Sequence, residues 1–587
     1  MLTVSELSLF QKVRFLLTRE QKKQFLILAG LVIVGMLFEM ASLGLMIPTI
    51  GFMLKENVGQ RYPFLQPYLQ ALGNPTQTQL VVGCMIFLVF FFLAKAIFML
   101  GLSWKQAHFS SKFSVDLSQS LFLGYLRQPY TFHLQCNSAQ LIRNIQSEVG
   151  QLSSVVQSSL SFGIELAMMI GVALMLLVVE PIGAIAVTSL LGLSAVGFHR
   201  LTRSKLLDWG VRRQFHSGLV TQHLLQGLGG VKDVKLMGRE EYFIDKYVEH
   251  NAWLAVITAR FQTLGTLPRL YLEFLAIVGL AGLVIVMVLQ GKSLALLIAT
   301  LGVFVAAAFR MIPSINRIMS SVQGIRYAQP VVDVLYKEFN LIKNTKADSY
   351  SGKRLDFNDQ IIISDVNFRY PSVSKNALKN VSIVIKKGES IGFVGRSGSG
   401  KTTLVDVILG LLPPAAGEVK IDGVDIQQNL RGWQDQIGYV PQSIYLTDDT
   451  LRANVAFGLK KEDINEQAVL QSIEAAQLDE FVAGLPEGLN TLVGERGIRL
   501  SGGQRQRIGI ARALYHQPEV LVLDEATSAL DTETEQGVMA SIKALQGHKT
   551  ILIVAHRLST IEHCDRVYRL EHGKVVNENC NTHELRC

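Results

Sequence analysis

Charge is scarce in this sequence. Asp, Glu, Lys and Arg make up 18% of its 587 residues, where a soluble globular chain carries ~25%, which argues against one compact soluble domain. Cysteine is scarce and unpatterned. Cys84, Cys136, Cys564, Cys580 and Cys587 form no CxxC or Cys/His spacing, so neither a disulfide framework nor a zinc site is indicated, and a reducing compartment fits. The polarity that keeps a chain disordered is also missing: 49% of residues are apolar and the mean hydropathy is +0.29. Such a chain must bury its apolar surface in a core or in lipid. A net charge of +8 suits either nucleic acid or the basic inside loops of a membrane protein, so the placement of the charges decides.

Apolar residues concentrate in the first 320 positions. A ~30 Å hydrocarbon core needs ~20 helical residues, and runs of about that length lie at 25–50, 80–102, 156–179, 181–198, 262–289 and 293–317. Six transmembrane helices are expected, the third and fourth joined by a tight turn at Glu180-Pro181, because proline favours the first turn of a helix. The first run is too long for a signal-peptide core and no small-residue cleavage site follows it, so it is expected to remain. With the N-terminus inside, the inner segments 1–24, 103–155 and 199–261 carry 19 Lys/Arg and the outer loops three, Lys55, Arg61 and Lys292. The asymmetry supports a multi-pass membrane protein with its N-terminus and soluble part in the cytoplasm. It also accounts for the net charge without nucleic acid.

The expected organisation is a membrane domain over 1–335, a linker over 336–359 and a soluble domain over 360–587. In the last part, short β-branched runs such as Val520-Leu521-Val522-Leu523 and Thr550-Ile551-Leu552-Ile553-Val554 alternate with helix-like stretches, the pattern of an α/β fold with buried parallel strands. After one such strand comes Gly395-Arg396-Ser397-Gly398-Ser399-Gly400-Lys401-Thr402-Thr403. This is a phosphate-binding P-loop, in which backbone N–H groups and a helix N-terminus cradle phosphates, Lys401 reaches them and Thr402 can ligate Mg²⁺. Four apolar residues precede Asp524-Glu525, placing two carboxylates at the end of a buried strand. Asp524 suits Mg²⁺ and Glu525 suits a general base that polarises water.

Here the chain resembles the nucleotide-binding domain of ABC transporters, over essentially all of 360–587. Leu500-Ser501-Gly502-Gly503-Gln504 matches the family signature. Its glycines and Ser501 begin a helix, so their N–H groups form a second anion site. The resemblance implies that Tyr370 stacks on adenine, Gln442 belongs to the loop that senses Mg²⁺ and water, Asp531 lies in the D-loop, and His556 contacts the γ-phosphate, with ATP and Mg²⁺ as cofactors. It also implies a membrane part of exporter type. One P-loop and one signature per chain require two chains to complete two sites, most simply a C2 homodimer. The inner stretches Tyr125–Tyr130 and Gly230–Glu241 resemble the family's coupling regions.

Ionisable residues within spans are functional candidates. Lys95, Arg269, Arg310 and Arg317 fall toward the cytoplasmic half of the membrane, and no acid lies on the stretch holding the last two. A cavity lined by these cations suits an anionic head group such as pyrophosphate, while Arg269 and Glu273, four apart on a helix, can also neutralise each other. The stretches Pro268–Glu273 and Arg310–Ile318 look like those of the flippases of lipid-linked oligosaccharides (PglK type). That resemblance implies ATP-driven flipping of a polyprenyl-pyrophosphate-linked oligosaccharide to the outer leaflet. A multidrug or lipid A type exporter is the alternative, favoured by a cavity without a cation cluster. An ATP-gated channel or regulatory membrane ATPase is a third reading.

Overall fold

The computed structural model describes residues 8–53, 77–179, 181–290, 294–344, 354–371, 373–526, 532–555 and 561–578. Its contacts divide the chain into two units, Met1–Gln128 with Cys136–Lys346, and Pro129–Gln135 with Ala347–Cys587.

The first unit is helical, as a chain immersed in hydrocarbon must satisfy its backbone internally. A short helix α1 (Leu9–Leu16), capped by Ser8 and Gln11, precedes α2 (Arg19–Met53) and α3 (Gln77–Leu126). Helix α4 (Tyr130–Gln135) belongs to the second unit. Then follow α5 (Ser138–Arg143), a π-helical turn at Asn144–Glu148, α6 (Val149–Val179), α7 (Pro181–Gly229), α8 (Val231–Met237), α9 (Glu240–Leu289), α10 (Leu294–Tyr327) and α11 (Gln329–Asn344).

Among the described residues, four helical segments are long and apolar enough to cross a membrane: Arg19–Ser42, Val81–Leu126, Ser138–Leu174 and Glu240–Leu289. The expected spans at 181–198 and 293–317 fall on α7 and α10, where many side chains lie outside the described residues. Fifty residues of α3 rise about 75 Å at 1.5 Å each, far more than the membrane core needs. The long inner segments are therefore mostly continuations of span helices rather than loops. Pro181 opens α7, in keeping with its tolerance in a first turn.

The segment from residue 336, read as the start of a linker, is helical as far as Asn344, within α11. Val331, Val332, Leu335, Tyr336 and Phe339 are buried, a helical-period stripe that holds the segment in the first unit. Tyr336 meets Phe15 of α1 edge-on at 5.0 Å and Asp333 pairs with Lys12 at 2.7 Å.

The second unit contains two sheets. One is antiparallel, of order β2-β1-β4-β5, built from β1 (Gln360–Phe368), β2 (Leu378–Lys386), β4 (Ala416–Ile421) and β5 (Val424–Asp425). The other has order β10-β9-β3-β8-β7-β6, from β3 (Ser390–Val394), β6 (Ile437–Val440), β7 (Val520–Asp524), β8 (Thr550–Val554), β9 (Arg566–Glu571) and β10 (Lys574–Glu578). Its strands are parallel except for the β9–β10 hairpin.

Alternation along β7 and β8 sends Leu521, Leu523, Ile551 and Ile553 into one core and Val520, Val522, Leu552 and Val554 into another. Both faces are covered, as a parallel sheet requires. Helices α12 (Lys401–Ile408), α13 (Gly502–Leu514) and α14 (Thr532–Ala544) follow the functional motifs.

Candidate nucleotide site

The P-loop leaves the carboxyl end of β3 and enters α12, the edge at which open α/β sheets bind ligands. Two glycines are required by geometry. At Gly395, φ is +148° and a Cβ would lie 2.3 Å from the Leu570 carbonyl oxygen; at Gly400, φ is +106° and a Cβ would lie 2.9 Å from that of Ala377. With these turns the loop closes on Lys401, whose Nζ donates to the Gly395 carbonyl at 2.9 Å. Burial lowers the Lys401 pKa, opposed by the carboxylates of Glu525 and Asp524, so the lysine faces the acidic pair. The buried Ser399 hydroxyl has no hydrogen-bond partner, and a phosphate oxygen is the kind of acceptor that would supply one.

Beside the loop, the Tyr370 hydroxyl lies 3.1 Å from Thr403 Oγ1 and its ring meets Phe368 edge-on. Arg396, Ser397 and Gly398 form the loop's outer turn, and Thr402 is exposed at the start of α12. Asp524 ends the wholly buried β7 and is itself buried. Asp406 on α12 is pushed up to about 6, by burial first and then by the charge of Asp524. This concentration of negative charge and the oxygen donors Thr402, Asp524 and Gln442 fit a hard divalent cation such as Mg²⁺.

Glu525 is a non-glycine residue in the left-handed region, φ +51°, a setting that costs ~1–3 kcal/mol and persists only when neighbours hold it. Its N–H donates to the Val554 carbonyl at 3.0 Å. Gln442 Nε2 donates to its carboxylate at 2.7 Å, and Gln506 Nε2 donates to its backbone carbonyl at 3.2 Å. The fold thus brings together Lys401, Asp524, Glu525 and Gln442 as the motifs led one to expect. Gln506 was not anticipated: it follows the signature in sequence, but only the seating of α13 reveals which backbone it meets.

The signature stands at the start of α13, with Gly502 and Gly503 in its first turn. Ser501 Oγ accepts from the Gln504 N–H at 3.1 Å, and Gln504 Oε1 accepts from the Ser501 N–H at 2.9 Å. This reciprocal box is worth about 1 kcal/mol, and it leaves the glycine N–H groups pointing out of the helix start. Asp531 and His556 lie outside the described residues, as do the side chain of Arg310 and the outer loop 54–76.

Three of the span cations have carboxylate partners. Lys95 pairs with Glu39 at 2.8 Å and donates to Ser42 Oγ at 3.1 Å. Arg269 pairs with Glu273 at 2.9 Å, within one helix turn. Arg317, for which no acid lies nearby in sequence, pairs with Glu165 of α6 at 2.9 Å, because α6 and α10 pack along their lengths. Three of the four cations are therefore committed to carboxylates. A cavity of uncompensated positive charge is not formed by these three.

Comparison with known proteins agrees with this geometry. The family model described as the ABC transporter transmembrane region matches residues 25–258, and the ABC transporter model matches 378–528. An ATP-dependent lipid A-core flippase of Cupriavidus pinatubonensis is 32% identical over 480 residues, covering 81% of this chain and 80% of that protein. One of Burkholderia pseudomallei is 38% identical over 353 residues, 60% of this chain and 58% of that one. The solved structure of a bacterial Atm1-family ABC exporter with ATP bound matches with a TM-score of 0.78 at 22% identity, over 96% of each chain, which establishes the exporter fold. With its phosphate loop, acidic strand end and signature helix following a helical membrane region, the chain belongs to the ABC transporters, membrane and ATP-hydrolysing domains being fused in one polypeptide.

Proposed function

We propose that this protein is a flippase that moves an amphipathic lipid of the lipid A-core type from the inner to the outer leaflet at the expense of ATP. The similarity to relatives named ATP-dependent lipid A-core flippase, over four fifths of both chains, carries this reading. The committed span cations support it: Lys95, Arg269 and Arg317 already have carboxylate partners, whereas bidentate capture of a pyrophosphate calls for available guanidinium groups. Flipping of a polyprenyl-pyrophosphate-linked oligosaccharide is the second reading. What favours it is that the Arg269 and Arg317 side chains remain 69% and 59% exposed despite their partners.

The working unit in this proposal is a homodimer in the bilayer, each ATP lying between one chain's P-loop and the partner's signature. Tyr370 stacks on adenine, and the N–H groups of Gly395–Thr403 with Lys401 hold the phosphates. Thr402, Gln442 and Asp524 would hold Mg²⁺, which when bound would neutralise phosphate charge. Glu525 accepts a proton from water as the water oxygen bonds to the γ-phosphorus and the bridging oxygen leaves with ADP. His556 and Asp531 complete the site on the strength of the family resemblance.

The test is translocation by the full chain in proteoliposomes, using a labelled lipid A-core probe and a labelled polyprenyl-pyrophosphate glycan, with Glu525→Gln as the inactive control. ATP-dependent movement of the first probe is expected. Movement of the glycan alone, lost in Arg310→Ala, would replace this reading by the second, and movement of neither while ATP is hydrolysed would refute both.

A further inference from the structure

Hydrogen bonds from three parts of the chain meet at Glu525. Val554, at the end of β8, takes its N–H; Gln442, in the loop after β6, holds its carboxylate; and Gln506, on α13, holds its carbonyl. Gln506 is buried, 3% exposed. Helix α13 is seated firmly, with Ile508, Ile510, Ala511 and Ala513 buried. Gly509 brings it against the loop that carries Gln442, since a Cβ there would stand 2.4 Å from Ile444 Cδ1. One helix therefore abuts the Gln442 loop and grips the backbone of Glu525, while its own first turn is the signature.

We propose that Gln506 is a positioning residue for hydrolysis, a clamp that holds Glu525 in its left-handed setting and ties that setting to the seating of the signature helix in the same chain. The reason is conformational. A non-glycine residue leaves the left-handed region readily when its anchors are lost, and rotation of this backbone swings the carboxylate away from Gln442. Ser501 and Gln506 are five residues apart, about 7.5 Å along one helix, so an anion seated on the first turn acts on the clamp through a single rigid element. The clamp rests on the assignment of Glu525 as general base. Its link to the helix start rests on the dimer in which that start faces the partner's nucleotide.

The experiment uses the full-length protein in lipid. Gln506→Leu keeps the volume and removes the donor. Its kcat for ATP should fall by about tenfold or more, the factor a lost hydrogen bond in a catalytic setting represents, with KM and binding of a fluorescent ATP analogue within about twofold of the unaltered protein. Its Hill coefficient in ATP should fall toward one from a higher starting value. Gln506→Glu supplies a donor only when protonated, so its kcat relative to the unaltered protein should rise as pH falls from 8.5 to 6, which a role in packing alone would not produce. A kcat within twofold in both variants, KM and binding lost in proportion to kcat, or a flat pH ratio in Gln506→Glu would overturn the clamp. A Hill coefficient unchanged by Gln506→Leu would overturn the link to the helix start. If Gln506→Leu fails to fold, Gln506→Glu decides. Glu525→Gln is measured in parallel. Turnover retained there would remove the general base and the clamp with it, whereas a dead Glu525→Gln beside a normal Gln506→Leu would overturn the clamp alone.

Discussion

Glu148 closes the π-helical turn between α5 and α6 and is completely buried. Its carboxylate lies 3.1 Å from Arg213 Nη2 and 3.6 Å from Arg143 Nε. Arg143 also donates to the Gln214 carbonyl and the Asn144 side chain, each at 3.2 Å, and Arg213 lies over the Tyr327 ring at 5.8 Å. At an effective dielectric of ~20, each attraction is worth about 5 kcal/mol before the cost of desolvating three charges. That cost consumes most of the gain, but Glu148→Ala does not recover it: Arg213 stays buried without its carboxylate, and Arg143 keeps only the charge of Glu338. Removing one partner of such a group costs about 3–5 kcal/mol. At the lower limit, amides of 139–150 and 208–218 that open locally should exchange with deuterium about 150-fold faster. Hydrogen exchange in a fixed detergent reads this directly. The double variant Glu148→Ala/Arg213→Ala should fall short of the sum of its singles, because the second change removes one of the stranded charges. Unchanged protection in Glu148→Ala, or strict additivity in the double variant, would refute the argument.

Three further outcomes are expected. Gly395→Ala should abolish binding of a fluorescent nucleotide, since its Cβ would stand 2.3 Å from a backbone oxygen that cannot swing aside; affinity within tenfold of the unaltered protein would contradict the geometry. Ser501→Ala removes the side-chain acceptor of the capping box, about 1 kcal/mol, so the first turn of α13 should exchange roughly fivefold faster while α12 keeps its protection. Burial, with Asp565 beside it, pushes the Cys564 thiol up to about 12. At pH 8 its thiolate is about a thousandfold rarer than for an ordinary thiol near 9, and site-resolved mass spectrometry should find it unalkylated by iodoacetamide until the domain is unfolded.

Legibility followed the range of the interaction. The P-loop, the acidic strand end and the signature are runs of neighbouring residues whose backbone N–H groups act together, so order along the chain already states the chemistry. Runs of apolar residues announced the spans, and the Lys/Arg asymmetry their orientation. Polarity rises after 334, yet the helical stripe through Phe339 continues, and only packing on α1 shows that this stripe is used. The charges were least legible. Arg269 and Glu273 sit one turn apart and could be paired on paper, but Glu39 with Lys95 and Glu165 with Arg317 join different helices.

By itself, then, the sequence determined that the first half is built for lipid, that the second is an ATP-hydrolysing domain of the ABC type, and where its P-loop and signature lie, because periodicity and contiguity are properties of the chain alone. Only the tertiary structure decided which span cations were already neutralised, and that Glu525 is held from β8, the Gln442 loop and the signature helix at once. Those facts depend on which faces of distant elements meet, and no local pattern encodes that.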